Sequence, residues 1–205
     1  EYSCDLVPQI YYYNPDDSKY KQVNPNNDFA SMGLAASSMF SSAYSMNIFY
    51  ELPEYEELYQ GQYDIKAGKW PENSSEAVLV ISSRASVSDF IIYTFGLRDS
   101  EELKAMIEDF EEGNETTLVE ETTDWSYEDF LGVTFKVLPA YEKYKFDDVH
   151  DVWTDMSNDD EFMMDVLAGA QDLKIVGIVM PKEGEEVAVI HTTMGPAIHI
   201  TFNGR

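Results

Sequence analysis

Two short uninterrupted apolar runs, Ala77 to Ile81 and Ile175 to Met180, set the tightest limit on what this chain can become. A strand with no polar face is stable only when both of its faces are covered, so Ala77 to Ile81 is expected as an interior strand. Both runs fall well short of the roughly 20 apolar residues that cross a bilayer, and neither is read as a membrane span.

Charge narrows the classes further. The 205 residues carry 39 acidic and 13 basic side chains, a net charge of −26. Such a surface repels phosphate backbones and anionic head groups, which excludes nucleic-acid binding through a basic patch and peripheral membrane binding by charge. The chain is nevertheless no solvating acidic tail, because 44% of it is hydrophobic and 14% aromatic. A length of this order suits one domain or two small lobes. Cys4 is the single cysteine, so no intrachain disulfide and no cysteine-based zinc site can form. The chain opens on Glu1 without a leader, and the expectation is a processed product or a fragment of something longer.

Leu6 to Tyr13 reads as a strand, since its aromatic residues are bounded by Pro8 and the turn-forming Asn14-Pro15-Asp16-Asp17. Phe29, Met32, Ala36, Met39, Ala43 and Met46 recur at spacings of 3 and 4, one face of a helix that Asn27 or Asp28 can cap. Two uses of that face stay open: packing on the core, or an adaptable contact surface made by Met32, Met39 and Met46. Glu51 to Gln60, with Pro53 in a first turn, predicts a short helix that turns Leu58 inward. Tyr63 to Ala67 is extended and Gly68-Lys69-Trp70-Pro71 is a turn. Leu103, Met106, Ile107 and Phe110 place a surface helix over Asp99 to Gly113. Tyr127 to Leu138 should end in a strand that Pro139 terminates, and Phe162, Val166 and Leu167 suggest a helix. Three late strands are expected at Leu173–Val179, Val187–Thr192 and Ala197–Phe202, joined as hairpins.

Catalytic groups are sparse. His150, His191 and His199 are the three histidines; the last two could meet across a hairpin as a metal pair but lack a third ligand nearby. No nucleophile elbow, zinc-protease helix or phosphate-binding glycine loop is present. The run Asp147 to Asp165, with Tyr144 and Trp153, allows a carboxylate pair in an aromatic cleft or a calcium site. A solvated face is the plainer reading of so many acids.

Tyr63-Asp64-Ile65-Lys66-Ala67-Gly68-Lys69-Trp70-Pro71, followed by Glu76-Ala77-Val78-Leu79-Val80, resembles the extracytoplasmic domain of ABC transporter permeases of the MacB and FtsX type. In that family a strand leads into a Gly-x-Trp-Pro turn, and an acidic residue then opens a buried strand. Asp89 to Leu97, Ser126 to Gly132 with Phe135 to Leu138, and Leu173 to Pro181 are similar to later segments of the same domain. The likeness covers about Met46 to Gly195; residues 1–45 match nothing in it, and Pro196 to Arg205 depart from it.

The resemblance implies an α+β fold in two lobes. Residues 1–85 and 170–205 would form a membrane-proximal lobe with a small mixed sheet, and residues 86–169 an inserted lobe. It implies no active site and no cofactor in this chain. Its partners would be the transmembrane part of the same permease, a separate cytoplasmic ATPase subunit, an external substrate or protein, and a second permease copy in the assembled transporter. Gly68, Trp70, Pro71, Glu76, Gly177 and Pro181 would be structural residues of the motif, and the location the outer face of a bacterial membrane. The alternative is a free secreted acidic module that binds a glycan or a cationic peptide.

Overall fold

The computed structural model describes residues 8–15, 18–25, 49–81, 87–88, 92, 121–122, 126–183, 190 and 197–200. The fold is α+β. Tyr-rich Gln9–Asn14 (β1) and Lys19–Asn24 (β2) form an antiparallel hairpin on either side of the Asn-Pro-Asp-Asp sequence. Phe49–Glu51 (β3), Tyr63–Gly68 (β4) and Glu76–Val80 (β5) follow. Val87–Ser88 (β6) and Glu121–Thr122 (β7) pair separately. Tyr127–Phe130 (α1) leads into Thr134–Leu138 (β8), which Pro139 ends because it has no N–H for the ladder. Tyr144–Asp147 (β9) and Val152–Asp155 (β10) make a second hairpin. Asp160–Gly169 (α2), Gln171–Pro181 (β11) and Ala197–Ile200 (β12) complete the described chain.

Eight strands form one mixed sheet in the order β2-β1-β8-β11-β5-β12-β3, with β4 also paired to β11. Strand β11 is the axis. It runs antiparallel to β8 over Gln171–Lys174, antiparallel to β4 over Gly177–Pro181, and parallel to β5 over Lys174–Val179. The pairing with β5 slips by one residue between Ile175 and Gly177. Because side chains alternate with period two, the extra residue at this bulge reverses which face the remaining side chains reach. Leu173, Ile175 and Ile178 therefore share one core, while Val179 enters another on the opposite face.

The first core is continuous across the sheet and includes Ile10, Phe49, Ala77, Leu79, Phe135 and Ile198. Phe135 is its aromatic centre, with its ring 5.5 Å from Phe49 at 87° and 6.0 Å from Tyr12 at 59°. On the other face, α2 lays Met163 and Leu167 over Tyr11 and Leu138. That helix starts where the Asp159 carboxylate accepts the Phe162 N–H at 3.0 Å. Burial, with the Asp155 carboxylate second, pushes the Tyr11 hydroxyl up to about 12. A third cluster joins Val78, Val80 and Val179 to Leu52, Tyr59, Tyr63 and Ile190. Ala77 to Ile81 is thus covered from both sides, as its composition requires.

Several expectations change. Leu58 is not inward: it is 51% exposed, whereas its neighbour Tyr59 is 2% exposed. The segment folds as two tight 3₁₀ turns, Glu56–Leu58 and Gln60–Gln62, and the larger aromatic side chain takes the buried position between them. Tyr127–Phe130 is a helical turn, held by the Asp129 carboxylate accepting the Ser126 N–H at 2.8 Å. Strand β8 stands between β1 and β11, and α2 packs on that same part of the sheet. Strand β12 pairs with β5 and β3, so β5 separates it from β11. The helices expected over residues 29–46 and 99–113 lie outside the described residues, as does the strand over 187–192 apart from Ile190.

Phe135→Ala should cost about 3–5 kcal/mol because it empties the centre of the main core. Ile65→Ala, on the exposed side of β4, should stay within about 0.5 kcal/mol. Urea unfolding monitored by circular dichroism measures both.

Candidate functional site

The residues that carry the sequence motif converge where β4 meets β11. Gly68 and Gly177 are register partners, and Gly68 has φ of 70°, a left-handed conformation that favours glycine. A Cβ built on Gly68 would stand 2.0 Å from the Val176 carbonyl oxygen, and one on Gly177 would stand 1.9 Å from the Lys69 carbonyl oxygen. Each glycine leaves room for the backbone of the opposite segment. The Lys69 N–H donates to the Val176 carbonyl at 2.9 Å, so the two backbones are bonded at the point of closest approach.

The turn after β4 is fixed from several directions. Trp70 lies against the third cluster, with its ring 5.0 Å from Tyr59 and 6.2 Å from Tyr63, and Pro71 is buried. The Tyr63 hydroxyl donates to the Ile190 carbonyl. Glu76, the first residue of β5, accepts the Glu72 N–H at 2.7 Å and pairs with Lys69 at 3.2 Å. The Glu72 N–H first, and the Lys69 ammonium with it, hold the Glu76 carboxyl below the usual glutamate value. Lys69 also pairs with Glu72 at 3.0 Å, and these two carboxylates raise the lysine. Pro181 ends β11 opposite Tyr63. Met32, Met39 and Met46 lie outside the described residues.

This convergence has the chemistry of a structural joint. Its carboxylates are tied to a lysine and to backbone amides, and no thiol or imidazole belongs to it. Among the described residues no group of three metal-ligating side chains comes together, and no helix is long and apolar enough to cross a membrane. His191 lies outside the described residues. His199 is in β12, in register with Val78 on one side and Tyr50 on the other.

The acidic run Asp147 to Asp165 divides between the second hairpin and α2; Tyr144 and Trp153 lie on an open strand face, while Phe162 packs against the cluster under α2. Phe146 and Trp153 are register partners with ring centroids 5.1 Å apart, and Trp153 is 67% exposed. The hairpin's turn is built by Asp147, whose carboxylate accepts the Val149 and His150 N–H groups and contacts His150 Nδ1 at 2.7 Å. The His150 side chain, with those amides, holds the Asp147 carboxyl below the usual aspartate value. Asp155 is lowered in the same way by the Ser157 hydroxyl and N–H. The sequence names Tyr144 and Trp153 as aromatic but does not show them paired to an exposed face. The signal for that was the alternation of Tyr144 with Phe146 next to an Asp-rich turn.

Gly177→Ala should destabilise the protein by about 3 kcal/mol or more, since the new methyl meets backbone that cannot swing aside. Gly169→Ala, at the end of α2 with open space around it, should be neutral or stabilising by up to about 1 kcal/mol. Urea midpoints separate the two. Glu76 has a lowered folded value, so its stabilisation is present above the ordinary 4.5 and is lost as pH falls through the folded value. Glu76→Gln should therefore cost about 1 kcal/mol near pH 7 and progressively less in acid, read from unfolding curves across that range. No family model, no curated protein and no solved structure matches this chain.

Proposed function

We propose that this chain is the extracytoplasmic domain of an ABC transporter permease of the MacB and FtsX type. In this reading it is non-catalytic. It couples movement of the transmembrane helices, driven by ATP hydrolysis in a separate cytoplasmic subunit, to a substrate or protein at the outer face of a bacterial membrane. The observation that supports it is the joint between β4 and β11. Two segments that carry the resemblance, Tyr63 to Val80 and Leu173 to Pro181, lie far apart in sequence but depend on each other through Gly68 and Gly177. A sheet locked in this way suits a part that transmits displacement, because movement of β4 or β5 must carry β11 with it. The charge of −26 would keep such a domain off an anionic membrane surface.

The second reading, a free secreted acidic module for a glycan or a cationic peptide, draws on the exposed aromatic face of the β9–β10 hairpin. The two differ in what flanks the domain. The permease reading expects the encoding reading frame to continue on both sides into apolar spans of about 20 residues, beside a gene for an ATPase subunit. A signal peptide directly upstream and a stop codon soon after Arg205 would reject it in favour of the secreted module.

A further inference from the structure

The β9–β10 hairpin carries a surface that the permease reading does not use. Alternation along the paired strands puts Tyr144, Phe146, Trp153 and Asp155 on one face, with Trp153 opposite Phe146 and Asp155 opposite Tyr144. Both strands are largely solvent-exposed, and Val149 at the tip is 80% exposed. Large apolar side chains clustered on a two-stranded ribbon are uncommon on a surface that serves no contact. Burying them in the molecule's own core was open to the fold, which does so with Phe135 and Phe49.

Asp155 shares the face of these rings, Asp147 is on the other face and Asp148 and Asp151 are in the turn, against Lys145 as the one lysine or arginine within the two strands and their turn. Asp147 and Asp155 have much of their accepting capacity taken by His150, Ser157 and backbone amides. They keep their negative charge while offering fewer free lone pairs. That arrangement attracts a cation through space better than it hydrogen-bonds the neutral hydroxyls of a sugar. A second copy of the chain is disfavoured, because it would bring another 39 acidic side chains towards the same carboxylates.

We propose that the Tyr144–Phe146–Trp153 face docks an arginine-bearing basic segment of a partner polypeptide, with a guanidinium stacked on the Trp153 ring. Arginine fits because its planar, weakly hydrated cation stacks on an aromatic face and still meets a flanking carboxylate. The inference stands apart from the permease reading. Flanking sequence decides that one, and peptide binding decides this one.

The test is a titration of the domain with a short peptide of alternating arginine and glycine, followed by calorimetry and by the indole N–H resonance of Trp153. A glutamine-for-arginine peptide and a chitin-type oligosaccharide serve as the other ligands. The arginine peptide should bind and shift the Trp153 resonance, and raising salt from low to physiological strength should weaken it. Trp153→Ala should weaken binding by about three- to tenfold, with the circular dichroism spectrum unchanged because the residue is exposed. Equal binding by the wild type and Trp153→Ala, or an unmoved Trp153 resonance, would reduce the attraction to general charge and overturn the proposal. Preferential binding of the oligosaccharide, or self-association that Trp153→Ala abolishes, would overturn it in favour of those occupants.

Discussion

The close approach of the Lys69 backbone to Val176 and Gly177 is the constraint on which the sheet depends. At this point β11 accepts β4 along the edge that β8 occupies nearer its start, while β5 runs parallel along it. The bulge beside Gly177 changes the strand's face parity, so one chain segment fills the main core with Ile175 and Ile178 and the third cluster with Val179. A regular strand would send Ile175 and Val179 to the same side. Without the bulge, Ile178 and Val179 would exchange faces, so the isoleucine would leave the main core and the valine the third cluster.

Burial on two sides follows from that geometry. The main core crosses the whole sheet, but the opposite face is covered piecewise, by α2 near β1 and β8 and by the Trp70 turn near β4 and β5. Fixed aromatic geometry does much of the positioning. Trp70 stands between Tyr59 and Tyr63, and Phe135 between Tyr12 and Phe49. Charged groups contribute less energy and more definition. Lys136 and Asp172 are register partners bridged at 2.7 Å across β8 and β11, and Lys69 with Glu72 and Glu76 closes the turn into β5. Partly exposed pairs of this kind are worth about 1 kcal/mol or less each, but they select one turn geometry and one strand register.

The excess of carboxylates is accommodated by solvent exposure and by local hydrogen bonds. Asp147, Asp155 and Asp159 each accept backbone N–H groups two or three residues ahead, which fixes a hairpin turn, a bend and a helix start. A stretch that looks in sequence like a featureless acidic run therefore has definite local structure. What distinguishes the hairpin from the rest of that run is the aromatic pair it displays, since α2 turns its Met163 and Leu167 inward.

The sequence by itself determined the elements whose signal is local. The apolar run at Ala77 to Ile81 required a strand covered on both faces, Pro139 ended β8, and the spacing of Phe162 and Val166 marked α2. The family resemblance, and no local signal, singled out Gly68, Trp70, Pro71 and Gly177 as structural residues. Tertiary structure alone decided why those glycines matter, because the atoms that exclude a Cβ come from a strand distant in sequence. It likewise decided that Tyr59 and not Leu58 is buried, since the rings that receive it lie beyond the 3₁₀ turns. The place of β8 in the middle of the sheet and the separation of β12 from β11 by β5 have the same origin. Periodicity reports which residues want cover, and only the packed chain determines which surface supplies it.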